Sequence, residues 1–100
     1  MRNQTLFTST NIGAASGTGS SVAVKPAAHP QSVMIPVEIS CSSATPTITV
    51  QGKLTEAAAW SDLTSTVSGN IQLIPRCHFY RVAWASAAGT ESLTVTVALL

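Results

Sequence analysis

Apolar and polar residues alternate along most of this chain, and a period of two marks strands that bury one face. The pattern is cleanest in "LTVTVAL", which sets Leu93, Val95, Val97 and Leu99 on one side and Thr94, Thr96 and Ala98 on the other. "SVMIPVEISC" repeats it with Ile35, Val37, Ile39 and Cys41. Its internal Pro36 has no N–H to give to a ladder, which predicts an edge or a bulge there. "PTITVQGK" alternates Ile48 and Val50 with Thr47 and Thr49, and "CHFYRVAWAS" sets Tyr80, Val82 and Trp84 against Phe79, Arg81 and Ala83. "NIQLIP" completes the clear set, while "SSVAVKP" and "QTLFTST" are weaker strands.

Between these runs lie "GAASGTGSS", "KPAAHPQS", "CSSATP", "TVSGN" and "SAAGTES", all rich in turn residues and all too short for a crossover helix. Neighbouring strands must then run antiparallel. Six to eight short strands at intervals of about ten residues predict an all-β antiparallel sandwich, Ig-like or jelly-roll. "LTEAAAWSDL" is the one stretch favourable to a helix, and its strand-like flanks limit it to about one turn. "TNIGAASGTGSS" lacks large apolar groups, so residues 1–21 read as an arm, flexible or ordered by a neighbour, and residues 22–100 as a single sandwich domain.

Composition adds a surface to this fold. Charged residues make up 9% of the 100-residue chain, against a usual share of about 25%. Its skin is therefore hydroxyls and small apolar groups, with little repulsion between copies, and self-association follows as an expectation. The five basic residues are scattered and the net charge is +1, which argues against a nucleic-acid partner. With no apolar run behind the N-terminal "MRNQ" and none of 18 residues anywhere, neither export by a cleaved signal nor a membrane location is expected. Cys41 and Cys77 then read as free thiols of a reducing compartment.

Reactive constellations are hard to assemble from these residues. His29, His78, Cys41 and Cys77 lack the close pairing of zinc ligands, and the adjacent Cys77 and His78 point to opposite faces of a strand. "GTGSS" lacks the lysine and the following helix of a phosphate loop, and reads as a turn or linker. Neither a G-x-S-x-G motif nor a base and carboxylate to activate a serine is present. Glu56 and Asp62 bracket Trp60 and would suit a sugar site, but both also read as solvated loop charges. No cofactor, metal or small-molecule substrate is expected, and the chain reads as a non-enzyme.

Trp60 has two readings, a stacking platform for sugar or a plug for the core. Leu63 follows three residues later, so an irregular turn can send both into one end of the sandwich, where an indole contributes about 3 kcal/mol. The plug is the reading adopted here, and the expected core is Trp60, Leu63, Tyr80, Val82, Trp84, Leu93, Val95 and Val97. Arg81, on the opposite strand face, is expected at a subunit contact or in an ion pair with Glu38 or Glu91.

From Ile48 onward the chain resembles small virion proteins of tailed bacteriophages. The likeness rests on Val50 and Gly52 ending a strand, Trp60 and Leu63 as "W-x-x-L", Tyr80-Arg81-Val82, Gly89-Thr90, then Leu93 and Val95. Where that pattern has a Gly- and Asp/Asn-rich turn before its Trp, this chain has "TEAAA", which implies a tighter or helical turn. The resemblance implies a protein made in the host cytoplasm that decorates and cements the capsid surface. Its partners would be the major capsid protein and copies of itself, engaged over about 1,600 Å² without special chemistry. A neck, tail or fibre location is the alternative within the virion, and a carbohydrate-binding module the alternative outside it.

Overall fold

The computed structural model describes residues 2–24, 33–66 and 71–99. The turns expected over "KPAAHPQS" and, from residue 67, "TVSGN", together with His29 and Leu100, lie outside the described residues. Among the described residues nine strands follow one another: β1 (Arg2–Ser9), β2 (Gly17–Thr18), β3 (Val22–Ala23), β4 (Met34–Cys41), β5 (Thr47–Lys53), β6 (Ser61–Thr66), β7 (Ile71–Pro75), β8 (Phe79–Ala85) and β9 (Leu93–Leu99). They form two antiparallel sheets, ordered β1-β9-β4-β7 and β2-β8-β5-β6, with β3 also on β8. β2 and β3 lie in succession along β8, opposite Trp84–Ala83 and Tyr80–Phe79, and so act as two halves of one interrupted strand.

Counted that way there are eight strand positions, and they pair first with last, second with seventh, third with sixth and fourth with fifth. That nested pairing is a jelly roll, a long hairpin of paired strands rolled into two packed sheets. The interior is filled from both sheets by alternate residues: Ile35, Val37 and Ile39 of β4, Ile48 and Val50 of β5, Tyr80, Val82 and Trp84 of β8, and Leu93, Val95 and Val97 of β9 are all buried.

Three features differ from what the sequence implied. Residues 2–9 are no arm on a neighbour but a full strand on β9, with Leu6 buried. The register slips between Thr5 and Phe7, and the extra residue in this bulge lets two successive apolar side chains, Leu6 and Phe7, both pack on the core. The segment that follows is also tied down. Ile12 N–H bonds Glu91 O at 3.0 Å, Gly13 N–H bonds Gly89 O at 2.8 Å, and Ala87 N–H bonds Ala15 O at 2.9 Å. Deleting residues 2–18 would therefore strip the fold itself.

Second, the glycines of "GTG" are slots rather than linker. A Cβ on Gly17 would stand 2.6 Å from the Trp84 ring, and one on Gly19 2.6 Å from the Phe7 ring. Only glycine lets the backbone approach these two aromatics, whose centroids are 5.3 Å apart. Third, Pro36 lies on the inner strand β4 and not on an edge strand. The β4–β9 register begins at Val37, so the missing N–H falls just where that ladder stops.

Candidate functional site

Among the described residues no buried side-chain polar atom lacks a hydrogen-bond partner. Tyr80 Oη accepts from Cys77 N–H at 2.7 Å and donates to Pro75 O at 3.1 Å, which straps the chain just after β7 onto β8. Desolvation pushes its phenol up to about 12. Cys77 is buried beneath Gly52, and burial raises its thiol. Cys41 is at the other end of β4 from Met34, which pairs with Pro75 two residues before Cys77, and the two cysteines form no disulfide with each other. Glu91 is buried among the amides of its own loop: Ala88 N–H reaches one carboxylate oxygen at 2.9 Å, and Gly89 and Thr90 N–H reach the other at 2.8 and 3.1 Å. Those donors, led by Ala88, hold its carboxyl below the ordinary carboxylate range. Among the described residues no three His, Cys, Asp or Glu side chains gather as a metal site, and no helix is long and apolar enough to cross a membrane.

The described residues also present two surfaces, the outer faces of the sheets. On the β2-β8-β5-β6 face, Asp62, Gln51 and Arg81 form one row across three strands. Gln51 Nε2 donates to Asp62 Oδ1 at 2.7 Å, and Arg81 Nε donates to Gln51 Oε1 at 2.6 Å, so one amide links a carboxylate to a guanidinium. Trp60, entering β6, meets this row: Arg81 Cζ stands 4.7 Å and Lys53 Nζ 4.5 Å from its ring centroid. Lys53 also donates to Glu56 O at 2.7 Å, and His78 Nδ1 is 3.1 Å from Leu54 O. The excursion from 54 to 60, which makes a single turn closed by Ala58 N–H to Thr55 O at 3.2 Å, is thereby held down on its own sheet.

The placement of Trp60 corrects the expected core. The indole is only half-buried and lies outside the core cluster, because Lys53 and Arg81 offer it a cationic seat on the outer face. Leu63 parts company with it. A register slip between Val50 and Gln51 leaves Leu63 as the extra residue of β6, and it packs partly buried against the core beneath Gly52. The expected partners of Arg81 are also corrected. Glu91 is enclosed by amides and Glu38 belongs to the other sheet, so the guanidinium turns to Gln51 and Trp60 instead.

The β1-β9-β4-β7 face is of another kind. Its described outward side chains include Asn3, Thr5 and Thr8 on β1, Thr94, Thr96 and Ala98 on β9, Met34, Pro36, Glu38 and Ser40 on β4, and Ile71, Leu73 and Pro75 on β7. Glu38 is the one charge among these. Toward β7 the face becomes an apolar strip, with Leu73 64%, Ile71 67% and nearby Val33 81% exposed. A shallow hollow lined by Asn3, Pro36, Glu38, Ile71, Thr96 and Ala98 runs between the hydroxyl half and this strip. The sequence reading named the strand of β7 without assigning its faces; the structure turns Ile71 and Leu73 outward and buries Ile74.

Compared with known proteins, the chain matches no family model, no curated protein and no solved structure.

Proposed function

We propose that this protein is a structural component of a phage virion, one that decorates and cements the capsid by binding between major capsid subunits. It works by adhesion and carries out no reaction. The observation that carries this reading is the open, nearly uncharged outer face of the β1-β9-β4-β7 sheet, with Ile71 and Leu73 exposed along β7 and Val33 exposed nearby. Contiguous exposed apolar surface on a small domain marks a protein contact. The jelly-roll topology is in keeping with this role, since capsid proteins use it repeatedly, although lectins do too. The resemblance of the segment from Ile48 onward points the same way.

Quantitative proteomics of purified particles tests the reading. A cementing protein is expected in a copy number near that of the major capsid protein, with density on the outer shell in micrographs of the particle. A handful of copies confined to the neck or tail would move it to a ring or fibre, and absence from the particle would end the proposal.

Sugar binding keeps one observation in its favour, the surface position of Trp60. Against it, Lys53 and Arg81 both stand over the indole that a sugar ring would need. Glycan-dependent quenching of tryptophan emission, lost in Trp60→Ala, would replace the cementing role with this one.

A further inference from the structure

We propose that β7 is a self-pairing edge: two copies of this chain join antiparallel along β7 about a two-fold axis at Leu73, extending the four-stranded sheet to eight strands. This deepens the proposed function by naming the strand through which copies adhere. It does not require the virion to be correct.

The argument begins with what β7 lacks. Among the described residues it has one ladder partner, β4, and its other side faces no strand of its sheet. Natural edge strands are commonly guarded by lysine, by inward-pointing charge or by a bulge. The sequence of β7 is Ile-Gln-Leu-Ile-Pro, without a charge, and its register with β4 is unbroken from Met34–Pro75 to Glu38–Ile71. Pro75 at its end is the one guard, and it sits at the margin of any pairing centred on Leu73.

Symmetry then supplies the partner. With Leu73 opposite its own copy, Ile71 falls opposite the copy's Pro75, and all of these side chains lie on the outer face. The known β4 register extends each row: Pro36 and Leu73 meet Leu73 and Pro36, while Glu38 and Ile71 meet Pro75 and Met34. The exposed apolar strips of two copies become one. The charges permit it as well. The two Glu38 carboxylates are separated by three strand spacings and four residues along the strands, about 20 Å apart. That is well beyond a Debye length of about 8 Å, so like-charge repulsion does not oppose the pair.

Size sets the strength. The molecule is 18 Å across its thinnest dimension and β7 has five residues, so an edge contact falls well short of the about 800 Å² per partner of a standard interface. The dimer is therefore weak, with a dissociation constant of about 10 μM to 1 mM, and it becomes useful where copies are already held side by side.

Sedimentation velocity of the full chain across that concentration range is expected to show a shift from 10.3 kDa toward twice that mass. Leu73→Lys places two like charges at the axis and is expected to weaken association by roughly tenfold or more, with unchanged circular dichroism because the site is exposed. Leu73→Cys under mild oxidation is expected to give a disulfide joining position 73 of one copy to position 73 of the other, identified by mass spectrometry. A chain that stays monomeric throughout, an association indifferent to Leu73→Lys, or cross-linking through other positions only would each overturn the proposal. Incorporation of Leu73→Lys into particles is read separately. A monomeric protein that still coats the shell would sink the β7 dimer and leave the cementing role intact, whereas a β7 dimer absent from particles would do the reverse.

Discussion

The two outer faces of this sandwich are built from the same kind of alternating strand, yet one is covered by the chain itself and the other is left open. On the β2-β8-β5-β6 face the excursion after β5 folds back, and Trp60 settles against Lys53 and Arg81. On the β1-β9-β4-β7 face nothing among the described residues lies over Ile71 and Leu73, and Glu38 is the single charge among the described outward side chains. The difference lies in loop chemistry. A seven-residue excursion, 54–60, holding one large aromatic can close a surface when the sheet beneath offers cations and an amide row to seat it. A face of Thr, Ala, Pro and Ile offers no such seat, and water is excluded from it only by another molecule. One face thus serves the stability of the monomer, and the other is available for contact.

The sharpest way to break this comparison is to loosen the two sheets from each other, since both faces presuppose a fixed interior. Tyr80 provides that strut through its bonds to Cys77 N–H and Pro75 O. Tyr80→Phe removes one oxygen and leaves two backbone groups without it, at an expected cost of about 2–3 kcal/mol in urea denaturation. The same hydroxyl makes stability depend on alkaline pH. Its folded pKa, about 12, exceeds the unfolded value of about 10. The folded state therefore holds the proton more tightly, so the contribution is complete below pH 10 and is lost as pH rises toward 12. Tyr80→Phe is expected to flatten that part of the profile. Because Tyr80 is the chain's only tyrosine, phenolate absorbance follows the same ionisation directly.

A smaller effect is expected at the covered face. Trp60→Ala removes a half-buried indole and two cation contacts, at about 1–2 kcal/mol, against the about 3–5 kcal/mol typical of a core aromatic such as Trp84. A double-mutant cycle with Arg81→Ala should return a coupling of about 0.5–1 kcal/mol. A loss at Trp60 as large as at Trp84 would mean that the excursion is part of the core, and the contrast between the faces would dissolve.

Much of the architecture could be read from spacing alone, and the exceptions have specific causes. β9 is legible because Leu93, Val95 and Val97 alternate without interruption, and they are the residues buried. β1 is not legible, because Leu6 and Phe7 are adjacent and only a bulge can turn both inward. The same device at Leu63 hides the separation of Leu63 from Trp60, which share a motif but lie on opposite sides of one sheet. Glycine misled for a related reason. "GTG" has the composition of a linker, and its purpose appears only when the rings of Trp84 and Phe7 are seen against it. The candidate contact face was half visible. The strand "NIQLIP" was legible, but not which of its faces turns outward: Ile71 and Leu73 alternate with the polar Gln72 as core residues would, yet they are exposed and Ile74 is buried, and no local pattern carries that information.

The smallest expected effect falls on the open face. Leu73→Thr keeps a β-compatible side chain at a position 64% exposed and replaces apolar surface that the monomer does not bury. In dilute solution, where copies are apart, its unfolding free energy should match the parent within about 0.5 kcal/mol. A destabilisation above about 1 kcal/mol would show that some part of the chain does cover Leu73, and the face would no longer be open. An unchanged monomer whose self-association at high concentration is reduced separates folding from adhesion at a single residue. Such a result would place the most apolar edge of this low-charge sandwich in the contact between copies that is proposed for β7.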